Sequence, residues 1–197
     1  MRILIVGATG TIGRAVVEAL ATGNEIVAAS RSKSAITIDI AQPESIRAMY
    51  ARVGQVDAVV SAAGEAKFAS LGQLSDADFA FSLGNKLMGQ VNLVRYGFAN
   101  VRDGGSFTLT SGVLAQMPVP GSGAISLVNA GLEGFIRAAA LEAPRGIRVN
   151  VVSPPWVTET LKKLGMDPSI GLPAATVAKA YVRSVTGTES GRVISPS

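Results

Sequence analysis

Short β-branched apolar runs alternate along the chain with longer stretches of helical period. Ile3–Val6, Glu25–Ser30, Ile36–Ile40, Asp57–Ala62, Ser106–Thr110, Arg148–Val152 and Arg192–Ile194 predict seven strands. Most read as continuous apolar blocks, as expected of strands covered on both faces of a parallel sheet. Between them, Arg14–Ala21, Glu44–Val53, Ser75 to about Asn100, Ala124–Glu142 and Ala174–Val185 carry apolar residues at helical spacing. Punctuation agrees with these bounds: Gly23 and Gly54 follow helices, Pro43 opens one, and Ser75-Asp76-Ala77-Asp78 matches a capping box. Only Arg31–Ala35 separates the second strand from the third, too few residues for a crossover helix.

Alternation of strands and helices with right-handed crossovers implies one doubly wound α/β sheet of Rossmann type, with strand order 3-2-1-4-5-6-7. No linker, repeat or low-complexity segment interrupts it, so residues 1–197 are expected to form a single domain. Hydrophobic residues make up 48% and charged residues 16%, consistent with a packed core. The net charge of +4 is not concentrated in any basic run or basic–aromatic stripe, so a nucleic-acid partner is not expected. Cysteine and histidine are absent, which removes thiol nucleophiles, imidazole bases and the usual zinc sites; no metal is expected. No apolar run reaches the roughly 20 residues of a membrane helix, and no secretory segment precedes the first strand; the expectation is a cytoplasmic protein without a membrane partner.

Gly7-Ala8-Thr9-Gly10-Thr11-Ile12-Gly13 lies between a predicted strand and a predicted helix. There the first glycine permits the turn, the second lets backbone approach a pyrophosphate, and the third lets the helix pack close to the strand. The helix N-terminus offers free N–H groups to phosphates. The second strand ends at Ser30-Arg31 with no acidic residue from Val27 to Lys33, which argues for the 2′-phosphate of NADP(H) rather than the bare ribose of NAD(H).

With those pieces placed, the chain resembles a short-chain dehydrogenase/reductase from Met1 to about Ile194. Asp39-Ile40 resembles the family's adenine-contacting pair. Ser61-Ala62-Ala63-Gly64 stands where most members have Asn-Asn-Ala-Gly. Thr108-Leu109-Thr110-Ser111 is similar to the strand ending in the active-site serine. Arg148 to Pro154 resembles the sixth strand, with Pro154 a cofactor contact and Val157 and Thr158 at positions that hold the nicotinamide carboxamide. The resemblance implies an oxidoreductase acting on a small carbonyl or alcohol, and a homodimer or homotetramer built on the Phe79–Val94 and Ala124–Ala140 helices.

The family's catalytic Tyr-x-x-x-Lys pair does not carry over. Aligned on Ala130-Gly131-Leu132-Glu133, Ile125 takes the Tyr position and Asn129 the Lys position, and neither can supply or promote a proton. The helix that usually contributes an Asn offers Lys86, three residues before Gly89. Two readings stay open. Ser111 and Lys86 are the candidate catalytic residues of an altered active site, with Asn129 kept as a cofactor contact; alternatively, the chain is a non-catalytic NADP(H) sensor or partner-binding protein.

Overall fold

The computed structural model describes all 197 residues. Seven strands form one parallel sheet: β1 (Arg2–Val6), β2 (Glu25–Ser30), β3 (Ile36–Thr37), β4 (Val56–Ser61), β5 (Val101–Thr110), β6 (Arg148–Val152) and β7 (Val193–Ile194). Their order is β3-β2-β1-β4-β5-β6-β7, as the alternation predicts. The chain winds outward from β1 in both directions, so the crevice between the C-terminal ends of β1 and β4 is the switch point where such sheets bind ligands.

Side chains alternate across each strand and feed two cores. Leu4 and Val6 join Val59, Phe107, Leu109 and Val149 on one face, beneath α2 (Pro43–Val53) and α5 (Gly123–Glu142). Ile3 and Ile5 join Ala58, Val60 and Val152 on the other, beneath α1 (Thr11–Ala21) and a C-terminal helix, Ala174–Thr186. The β2–β3 connection carries no helix. The third strand is shorter than its apolar run, because Asp39 turns the chain: its Oδ1 accepts Ala41 N and its own N–H donates to Ser45 Oγ.

The capping box is complete, with Asp78 N donating to Ser75 Oγ and Ser75 N to Asp78 Oδ2. The helix it opens is not one uniform element. Before α5 the chain forms α3 (Asp76–Ser82), a π-helical turn over Leu83–Met88, and α4 (Gly89–Gly97). A π-turn inside a helix widens the ladder and re-aims the side chains on it. Helix α5 corrects the expectation about apolar length: its 20 residues are apolar enough to span a membrane by composition. In the fold, Val128, Leu132 and Ile136 of α5 fill the core beside β6.

A short helix absent from the predicted elements, α6 (Thr158–Lys163), follows β6 and precedes α7 (Ala174–Thr186). It is fastened at both ends. Thr158 N donates to Leu172 O, and Glu159 accepts from Ala174 N at the start of α7. Lys163 Nζ donates to Thr11 Oγ1 at 2.7 Å, tying α6 to the first residue of α1.

Candidate active site

A crevice along the C-terminal ends of the strands is divided in two by the Ala62-Ala63-Gly64 turn that follows β4. One half, about 390 Å³, is lined by Gly7, Thr9, Gly10, Ser30, Arg31 and Ile40 among others; the second, about 260 Å³, by Ile12, Lys86, Ser111, Asn129, Pro154 and Val157.

The first half is built on the glycine loop. Gly7 sits at φ 84, and Gly7 and Ala8 both donate to Ala29 O, holding the loop to the end of β2. A Cβ on Gly13 would stand 2.0 Å from Gly7 O, so the helix can approach the loop only with glycine there. Helix α1 begins without a side-chain cap and without an acidic residue in its first turn. Its leading N–H groups and positive dipole end are therefore available to an anion. Arg31 reaches over this half, whereas Ser30 is buried and shapes the loop, its Oγ accepting from Lys33 N and pairing with Ser34 Oγ.

Four predicted cofactor contacts stand outside the lining. Gly13 packs behind the loop, Thr11 is engaged by Lys163, and Asp39 holds the chain's own turn through Oδ1, while Ile40 beside it does reach the crevice. The Thr158 N–H is taken by Leu172, and Thr160, one residue beyond Glu159, faces the second half instead.

In the second half Lys86 is the sole charged side chain. The π-turn directs it inward. Gln90, one turn later, clamps the helix to β5 by donating to Thr110 O and accepting from Thr110 N, both buried. The Lys86 stem then lies under Gly64, where a Cβ would come within 2.9 Å of Lys86 Cγ, and φ 128 at Gly64 also demands glycine. Lys86 Nζ points at the Ser111 carbonyl at 3.4 Å. It has no acidic partner, and burial lowers the amine to about 8.

Ser111 shares this wall with Lys86, but its hydroxyl is turned inward. Its Oγ donates to Glu133 Oε1 at 2.9 Å, and Glu133 Oε2 accepts from Gln116 Nε2 at 2.6 Å. A serine has one proton to give, so while that bond stands Ser111 offers a ligand only its acceptor lone pairs. Ile125 occupies the wall where the family pattern has tyrosine. Asn129 donates from Nδ2 to Gly112 O, leaving a buried Oδ1 with no partner. An orphaned acceptor on a cleft wall suits a ligand hydroxyl.

None of the three tyrosines replaces the missing one. Tyr50 donates to Leu93 O and Tyr181 pairs with Thr110 Oγ1, both fully inside the protein with burial pushing their phenols up; Tyr96 lies under the Arg47 guanidinium. Sequence reasoning did not anticipate Glu133, Gln90, Asn85, Glu65 or the single Trp156, which lines the second half.

A family model described as enoyl-(acyl carrier protein) reductase matches residues 7–194. The protein lin1944 of Listeria innocua has a solved structure similar over 99% of this chain and 98% of its own, with 41% identity and a TM-score of 0.96. A small-chain dehydrogenase solved in complex with NADPH superposes with a TM-score of 0.88 over 99% of this chain and 95% of its own, at 24% identity. The hydroxynaphthalene reductase of Aspergillus fumigatus is 31% identical over 137 residues, covering 67% of this chain and 50% of its own length. The chain spans about half the length of that relative, and of the oxidoreductase UcpA of Escherichia coli K12, 30% identical over 63% of this chain.

Proposed function

The chain belongs to the short-chain dehydrogenase/reductase family, and on that premise we propose that it is a cytoplasmic, NADP(H)-dependent reductase of a small carbonyl compound in which Lys86 replaces the family's tyrosine as proton donor. The observation that carries this reading is the position of Lys86: the one charged side chain lining the second half of the crevice, with an amine lowered to about 8. A proton donor works best when its pKa lies near the working pH.

The residues present fit the cofactor. The uncapped start of α1 would receive a pyrophosphate, Arg31 a 2′-phosphate, and Asn129 Oδ1 a ribose hydroxyl. NADPH, when bound, supplies the hydride. Lys86 holds the carbonyl oxygen, stabilises the negative charge that grows on it, and passes it a proton from Nζ. Ser111 contributes its backbone carbonyl, which keeps Nζ aimed across the cleft. Reduction needs the ammonium, so its rate falls as pH rises through about 8; oxidation of the alcohol needs the neutral amine and rises over the same range.

The small-carbonyl substrate is supported by the lid, which is only α6 and a short turn. A homodimer or homotetramer is supported by the outer face of α5, where Leu127, Ala130, Gly134, Ala138 and Leu141 are exposed. The competing reading, a cofactor-binding protein without turnover, is favoured by Ile125 and by the inward-turned Ser111 hydroxyl. One experiment separates them. NADPH binding is followed by quenching of Trp156, and NADPH oxidation is measured over a panel of small aldehydes, ketones and quinones. Lys86→Ala is expected to lower kcat at least about a hundredfold with NADPH affinity kept. Binding without oxidation of any carbonyl favours the sensor, and turnover that survives Lys86→Ala removes the lysine from the mechanism.

A further inference from the structure

The outer end of the nucleotide half is crossed by an ion pair. Arg31 Nη2 lies 3.4 Å from Glu65 Oε1, with the two side chains 62% and 61% exposed. Arg31 belongs to the bare connection after β2, and Glu65 follows Gly64 beyond β4, so the pair joins segments that flank β1 on opposite sides. Both line the same crevice. The backbone of Glu65 is anchored: its N–H donates to Asn85 Oδ1 at 2.8 Å, and Asn85 is buried in the π-turn. The guanidinium that would meet a 2′-phosphate is thus already paired with a carboxylate of the chain.

Given the nucleotide site proposed above, we propose that Glu65 is a specificity-determining residue that competes with the 2′-phosphate for Arg31 and so narrows the preference for NADP(H) over NAD(H). A phosphate entering beside Arg31 must displace the carboxylate and bear its repulsion. A ribose that carries only hydroxyls leaves the pair intact, and the Glu65 carboxylate can accept a hydrogen bond from one of them. Exposed ion pairs are weak, on the order of a fewfold in affinity, so the competition trims the preference rather than abolishing it.

The test is a set of NADPH and NADH dissociation constants, read from Trp156 emission, for the wild-type chain, Glu65→Gln, Arg31→Gln and the double variant. Glu65→Gln preserves the backbone bond to Asn85 and removes only the charge. It is expected to tighten NADPH about twofold to fivefold, leave NADH unchanged or weaker, and lose its benefit in the Arg31→Gln background. The gain should also shrink at high ionic strength. An equal change for both nucleotides, or a gain that persists without Arg31, overturns the competition while leaving the nucleotide site standing. Failure of the wild-type chain to bind either nucleotide overturns the site itself and this proposal with it.

Discussion

Replacing Lys86 by Met should make the protein more stable at neutral pH while removing its proposed proton donor. Met keeps most of the stem that packs under Gly64 and discards the ammonium. The amine falls from 10.5 in the unfolded chain to about 8 in the folded one, because burial penalises the charged form. Below pH 8 both states are protonated and the folded state bears the whole penalty. Between pH 8 and 10.5 the folded chain is neutral while the unfolded chain still binds a proton, so wild-type stability rises with pH. Above 10.5 both are neutral and the penalty is gone. At 1.36 kcal/mol per pKa unit, the difference amounts to about 3 kcal/mol. Lys86 opens in part onto the cleft, and screening there reduces the figure to about 2 kcal/mol. For a chain of this size that raises Tm by about 4–8 °C. Urea unfolding of wild type and Lys86→Met without nucleotide, at pH 7 and pH 10, checks it. The variant should lead at pH 7 and lose most of its lead by pH 10. A variant less stable than wild type at both values, or a lead independent of pH, would refute the claim that Lys86 is held in an unfavourable site.

Gly13→Ala places a methyl group against the Gly7 carbonyl, where 2.0 Å is far inside contact distance. The expected result is NADPH binding weakened at least about tenfold, together with a lower Tm in a thermal melt, since loop and helix can separate only by spoiling both the turn and the core. Ala138→Arg sets a long charged side chain on the exposed small-residue face of α5. Sedimentation should register a shift towards monomer with the monomer's Tm little changed, whereas an unaltered assembly would mean that this face is not the interface.

Much of the fold was legible because its signals are local. Ile3–Val6 reads as a strand buried on both sides, and the five residues of Arg31–Ala35 cannot hold a crossover helix. Helix α6 escaped because it is six residues long with only Leu161 buried, too short to display a period. The π-turn left no trace either, since one wider turn between α3 and α4 hardly disturbs the spacing of apolar residues. Glu133 looked like any helical acid, and only the approach of α5 to the end of β5 aims it at Ser111. Arg31 and Glu65 belong to loops that meet only because β2 and β4 pair with opposite edges of β1.

That π-turn also explains why the two halves of the crevice cannot be adjusted separately. Asn85 and Lys86 are consecutive. The first holds the backbone of Glu65 at the nucleotide end, and the second lies beneath Gly64 and extends into the reaction end. The Gly64–Glu65 turn is therefore gripped from below by two adjacent residues of one helical irregularity, which Gln90 in turn clamps to Thr110 on β5. A ligand that pulls Glu65 away from Arg31 loads the same turn that roofs Lys86. Local irregularities in helices persist where neighbouring structure holds them, and they concentrate where a side chain must be aimed. Here the irregularity aims one side chain at each half, so the segment that positions the candidate proton donor is also the one that positions the carboxylate competing for the 2′-phosphate.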